Sequence, residues 1–169
     1  MIYTIQNEFL TVRVEDLGAQ LSSIQAPDGT EYLWQGDPDI WARRAPILFP
    51  FIARLRENTY YLDGQPYAIS THGFARDMVF SLVEQGEDHI SLQLTDTPET
   101  WKVYPFSFSL TVTYTLEGNR LKKCHRVENR SDKDMYYELG AHDGFRAPVE
   151  PGVPMSSWSI RLPGVEHVQ

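Results

Sequence analysis

The sequence contains a single cysteine, Cys124, so no disulfide can form within the chain. Its N-terminus lacks the positive start and apolar stretch of a secretion signal. The longest apolar run, residues 45–53, includes two prolines and is much shorter than the roughly 20 residues needed to cross a bilayer. These absences predict a soluble, cytoplasmic protein without a membrane partner.

Basic residues are also in short supply. The chain has 15 Lys and Arg against 23 Asp and Glu, which gives a formal net charge of −8. The basic residues are scattered along the chain and form no stripe that could follow a phosphate backbone. Nucleic acid is therefore excluded as an expected partner.

The chain lacks a sustained helical pattern, because no apolar stripe with a period of 3.6 residues persists over several turns. Apolar and polar residues alternate instead, and β-branched and aromatic residues fill the alternating runs. These runs are residues 9–14, 79–83, 90–94, 106–114 and 120–128. We therefore expect one all-β domain over residues 1–169, an antiparallel β-sandwich.

Turn signals separate the runs at short intervals, and Asp63-Gly64 predicts a hairpin within residues 60–69. Short strands are also expected at residues 31–34 and 135–139. Two proline-rich segments do not alternate and are predicted to be ordered loops. They are residues 34–56 and the tail from residue 147 onward.

Motifs for several chemistries are missing, among them a Gly-rich phosphate loop, a Cys/His metal pattern and a Gly-x-Ser-x-Gly elbow. The candidates that remain are two histidines in similar surroundings. His72 and His142 each follow a predicted strand and are followed by a glycine and then a phenylalanine, Phe145 in the second case. Strand-end loops could direct both imidazoles into one cleft with an apolar wall.

The alternative interpretation is that each is an ordinary solvated or hydrogen-bonded loop histidine. His89, His125 and His167 lack such neighbours and are expected to be structural. Arginines form a second group, because a guanidinium presents a fork of donors that suits sugar hydroxyls or a phosphate. Arg54 and Arg76 lie close in sequence to the proline-rich loop or to His72, although most arginines merely solvate a surface.

These residues occur within motifs that resemble those of the aldose 1-epimerases, the galactose mutarotase-like family. The resemblance covers nearly the whole chain and involves several motifs in the right order. They are residues 5–10, 31–37, 44–50, 72–77, 103–106 and 139–142.

The resemblance implies a β-sandwich that binds a free sugar and interconverts its α and β anomers without a metal or an organic cofactor. It implies that His142 is the general acid that protonates the ring oxygen and that His72 holds or polarises the same region. Arg54 is similar to the ligand-orienting donor, expected in the cleft with Arg43 or Arg44 nearer its rim. Arg76 and Asp77 are expected to support the first histidine motif.

The chain departs from the family pattern in two places. Asp143 follows the second histidine where the family usually has proline. Family members also continue further and there supply a glutamate as general base and an aspartate that binds sugar hydroxyls. We therefore expect this chain to be an incomplete sandwich with little turnover, open to pairing as a homodimer through uncovered strand edges.

Two other functions remain open. A hexose-6-phosphate 1-epimerase would use the arginines of residues 43–56 as a phosphate clamp. A non-catalytic carbohydrate-binding remnant would keep the cleft without turnover.

Overall fold

The computed structural model describes residues 1–162, so His167, expected to be structural, and the end of the predicted C-terminal loop lie outside the described residues. The strands and the α-helix, in chain order, are β1 (Ile2–Gln6), β2 (Thr11–Glu15), β3 (Leu21–Gln25), β4 (Ile47–Leu48), β5 (Thr59–Leu62), β6 (Gln65–Ala68), β7 (Ser81–Gln85), β8 (His89–Thr95), α1 (Pro98–Val103), β9 (Phe108–Glu117), β10 (Arg120–Asn129) and β11 (Gly140–Ala141). The predicted all-β fold is confirmed. No helix within residues 1–162 is long and apolar enough to cross a membrane.

The strands form two main antiparallel sheets, ordered β1-β2-β3 and β10-β9-β8-β7, and two short ribbons, β4-β11 and β5-β6. Alternation places the apolar side chains of β9 on one face, where Leu110, Val112 and Tyr114 are fully buried. They share a core with Val12 and Val14 of the first sheet. Each such burial contributes about 1.5–3 kcal/mol to stability relative to an exposed side chain.

The core of the two sheets also contains a polar link. The Tyr114 hydroxyl donates a 2.8 Å hydrogen bond to the carbonyl oxygen of Ala19. A buried hydroxyl without a partner would lose the free energy of its hydration, so this bond makes the tyrosine compatible with the core. It also fixes the loop before β3 against the larger sheet.

The hairpin predicted around Asp63-Gly64 is present as β5 and β6. Asp63 and Gly64 both have positive φ, 50° and 78°, as a two-residue turn that matches the strand twist requires. Tyr60 and Tyr67 face each other across the ribbon, with ring centroids 5.4 Å apart. Local turn chemistry and cross-strand packing therefore agree.

Several predicted strands differ from the structure. Residues 135–139 form no strand, and His142 follows the two-residue β11 instead. Residues 31–34 make only isolated bridges, at Glu31 and Leu33. β7 begins at Ser81, and all of its residues are exposed, because this edge strand has no layer covering it among residues 1–162.

Residues 46–53, which we call the central segment, connect the ribbon β4-β11 to the loop after β6. Phe49 is fully buried within an aromatic cluster that includes Phe74, Tyr104 and Phe108. Its carbonyl oxygen accepts hydrogen bonds from the amides of Phe74, at 3.0 Å, and Ala75, at 3.2 Å. The central segment thus joins the core to the chain around Gly73.

Gly73 lies so close to this segment that no side chain fits. A Cβ atom there would be 2.1 Å from the carbonyl oxygen of Phe49, and the glycine has φ of +71°. Gly64 has a similar φ of +78°, but a Cβ there would meet no atom within 4 Å. A substitution at Gly64 would therefore cause backbone strain alone, whereas one at Gly73 would cause backbone strain and a steric clash with Phe49.

We predict that Gly64→Ala lowers the free energy of unfolding by about 1–2 kcal/mol, the cost of a left-handed alanine. Gly73→Ala should cost at least about 2 kcal/mol more, because the central segment must also move. Urea denaturation of both variants measures the difference. Equal losses would show that the contact between Gly73 and Phe49 is unimportant.

Candidate functional site

His72 follows the ribbon β5-β6 and is bound to the central segment through two hydrogen bonds. Its amide donates to the carbonyl oxygen of Ala53 at 2.9 Å, and the Ala53 amide donates to its Nδ1 atom, also at 2.9 Å. An Nδ1 that accepts a hydrogen bond carries no proton, so the neutral ring has its proton on Nε2. His72 thereby presents an Nε2–H donor.

The surroundings of His72 favour this neutral form. Partial burial lowers the pKa of the imidazole below its ordinary value, and the nearby charges of Arg76, His142 and Arg43 lower it further. A protonated ring would also direct an Nδ1 proton against the Ala53 amide. His72 is therefore suited to donate a hydrogen bond near neutral pH without carrying charge.

His142 lies at the other end of the central segment. It directly follows β11, and its amide donates a 3.1 Å hydrogen bond to the carbonyl oxygen of Pro46. Its ring packs against Trp41, with centroids 5.1 Å apart. The charge of His142 is among those that depress the pKa of His72, so the two imidazoles lie within electrostatic reach of each other.

An ion-pair network borders His72. Asp77 accepts a hydrogen bond from the Arg43 guanidinium at 2.9 Å, and the Nη2 atom of Arg76 donates to the carbonyl oxygen of Thr71 at 2.7 Å. Nε of Arg76 is 3.5 Å from Asp77 and, although it is buried, makes no hydrogen bond within the described residues. This network supports the loop that carries His72.

The arginines expected at the site have different surroundings in the structure. Arg43, expected nearer the rim, acts electrostatically on His72. Arg54 is exposed, and its Nε atom donates to Asn58 at 3.1 Å. Its role as a ligand-orienting donor stays a prediction. Arg43 is held by its hydrogen bond to Asp77, which lies 34 positions away in the sequence. No local sequence signal indicates such a pairing.

Phe145 follows His142 by three positions. It pairs with Leu33 in an isolated bridge and, with Tyr32 and Asp143, lines a cavity of about 560 Å³. Neither His72 nor His142 belongs to the described lining of that cavity. The role of Phe145 as an apolar wall of the histidine cleft stays a prediction.

Each carboxylate that could replace a missing base near the histidines has a partner already. Asp77 is paired with Arg43, as described above. Glu138 accepts a 2.7 Å hydrogen bond from the Ile52 amide, and Asp143 pairs with Lys123 at 2.8 Å. Within residues 1–162, no group of three or more His, Cys, Asp or Glu is arranged to hold a metal ion.

We predict that His72 titrates below the usual imidazole range and keeps its proton on Nε2 at pH 7, with Nδ1 unprotonated. His142→Gln should raise the pKa of His72, because a nearby positive charge is removed. Long-range ¹H–¹⁵N correlation spectra recorded across a pH series measure both effects. His89→Gln serves as the control, and an unchanged His72 titration in His142→Gln would contradict the proximity of the two rings.

Known proteins resemble this chain in sequence. The family model of aldose 1-epimerase matches residues 1–162. The chromosomal LacX protein of Lactococcus lactis subsp. lactis is 37% identical over 172 residues, covering 98% of this chain and 58% of the relative.

Solved structures of other proteins resemble this chain as well. A galactose mutarotase related enzyme from Lactobacillus acidophilus is 39% identical with a TM-score of 0.88, covering 90% of this chain and 51% of that one. A galactose mutarotase-like protein from Lactobacillus casei is 36% identical with a TM-score of 0.84, covering 86% and 50%. The chain thus spans little more than half the length of these relatives, and it belongs to the aldose 1-epimerase family.

Proposed function

We propose that the protein is an aldose 1-epimerase that interconverts the α and β anomers of a cytoplasmic hexose by acid–base ring opening. The observation that carries this proposal is the attachment of His72 and His142 to opposite ends of the central segment. Their differing environments suit two roles toward one sugar, because His72 is a neutral donor and His142 is exposed beside Trp41.

The reaction needs two proton transfers. A base removes the proton of the anomeric hydroxyl while the bond between C1 and the ring oxygen breaks. The ring oxygen takes a proton from His142, which gives the open-chain aldehyde. Rotation about the C1–C2 bond and the reverse transfers then close the ring as the other anomer. His72 donates its Nε2–H to an oxygen near the ring and so orients the sugar.

The base is expected from the half of the relatives that this chain does not span. Asp77, Glu138 and Asp143 each have a hydrogen-bonded partner, as described above. The family resemblance assigns this role to a later glutamate.

A phosphorylated hexose is the second candidate substrate. Within residues 1–162, Arg43 and Arg76 share Asp77 as their ion-pair partner beside His72, which leaves one positive charge in excess in this group. A guanidinium suits a phosphate as well as a sugar hydroxyl. Exchange between anomers, measured by NMR with a free hexose and with its 6-phosphate, identifies the preferred substrate. Binding without exchange would instead indicate a carbohydrate-binding protein.

His142→Ala in a chain extended to the length of the relatives should reduce turnover by roughly 10²-fold or more, the scale expected for loss of a general acid. His89→Ala is the matched control, because His89 lies at the start of β8 and pairs with Asp88 and Glu84. Polarimetry on a freshly dissolved anomer gives the rate. A normal rate in His142→Ala would remove His142 from the mechanism.

The 169-residue chain by itself should show little or no turnover. Water would have to act as the base, and the rate would fall by about 10²- to 10⁴-fold relative to the extended chain. β10 is an edge strand within residues 1–162, which favours self-association. Polarimetry and sedimentation on the purified chain test this, and a monomer with full turnover would show that a base lies within these residues.

A further inference from the structure

A partly buried ion pair involves Asp143, the residue that directly follows His142 on the chain. Nζ of Lys123, on β10, is 2.8 Å from Oδ1 of Asp143, and the two side chains are only 11% and 22% exposed. The same ammonium lies 5.8 Å from the ring centroid of Tyr114. The other pair involving a lysine of β10, Lys122 with Glu117, is 3.7 Å long and mostly exposed.

The ion pair determines the direction of a short extended stretch. The amides of His142 and Gly144 donate to the carbonyl oxygens of Pro46 and Arg44, at 3.1 and 2.8 Å. Because successive side chains of extended backbone point to opposite faces, Asp143 faces β10 while His142 packs against Trp41. A fixed Asp143 therefore fixes the face on which His142 lies.

Lys123 is the cation that holds Asp143 in place. The other basic group on the same face of β10 is His125, whose Nε2 atom is buried without a hydrogen-bond partner in the described part of the chain. Burial and the charge of Lys123 lower the pKa of His125 to about 4, although Asp143 opposes the shift. His125 is thus neutral near pH 7 and leaves the pairing to Lys123.

We propose that Lys123 is a positioning residue for His142, acting through its ion pair with Asp143. The effect of Lys123 on turnover rests on the proposed function. Its effect on the position of His142 does not require a bound sugar. Loss of one partner leaves the other charge buried and unpaired, so Asp143 should turn toward solvent and take the adjacent backbone with it. The stretch from His142 to Gly144 would then leave the central segment.

The test uses Lys123→Met in the 169-residue chain, with Lys122→Met as the matched control on the same strand. Amide hydrogen exchange at His142 and Gly144 should accelerate by about 10-fold or more in Lys123→Met and stay unchanged in Lys122→Met. The imidazole cross-peaks of His142 should shift at the same time, whereas those of His89, which pairs with Asp88 and Glu84, should not. Asp143→Asn should reproduce both effects.

A conservative variant separates positioning from general stability. Lys123→Arg keeps the charge, so its amide exchange rates should stay within about 2-fold of the wild-type rates. Its His142 cross-peaks should remain at the wild-type positions. If Lys123→Met does not fold, Asp143→Asn and Lys123→Arg give the same comparison.

The proposal is overturned if the variants lower stability while the His142 signals and amide exchange remain those of the wild type. Failure of the proposed function is a distinct result, since absence of anomer exchange in the extended chain would leave these spectra unaffected. In an active extended chain, Lys123→Met should lower kcat by about 10- to 100-fold with little change in KM, as expected for a misdirected acid.

Discussion

The candidate site depends on how the backbone hydrogen bonds of the central segment are satisfied. Pro46, Phe49 and Ala53 use their carbonyl oxygens to bind the two stretches of chain that carry His142 and His72. Phe49 meanwhile places its ring in the aromatic core. Buried backbone groups need hydrogen-bond partners. The two stretches that carry the histidines supply those partners to the carbonyl oxygens of the central segment. Displacement of Phe49 would therefore disturb both histidines together.

Charge gives the two histidines different chemistry although their sequence surroundings are alike. Nδ1 of His72 accepts a hydrogen bond from the Ala53 amide, and the ring lies near Arg43 and Arg76, so the neutral form is favoured. His142 has no such constraint on its ring among residues 1–162, where its noted neighbour is the Trp41 ring. A neutral donor and a second, more exposed imidazole are the combination that a ring opening can use. The different environments thus arise from tertiary contacts.

Local patterns in the sequence predicted the sheets better than they predicted the site. Alternation located β8, β9 and β10, and Asp63-Gly64 located the hairpin, because these signals act between near neighbours. Residues 135–139 form no strand, and the Glu138 carboxylate accepts a hydrogen bond from the distant Ile52 amide. Arg43 and Asp77 are 34 positions apart, and Lys123 and Asp143 are 20 apart. Such pairings result from the packing of elements that are distant in sequence, and the periodicity of the sequence does not predict them.

The aspartate after His142 shows how a long-range pairing can replace a local restraint. Proline, the usual residue there in the family, would fix φ of the position by its own ring. Asp143 has no such restriction, and its direction is set by Lys123 on β10. β10 pairs with β9 along its whole length, so it is a rigid support, and its other edge is unpaired within residues 1–162. A further strand joining that edge would lie beside the strand that holds Asp143.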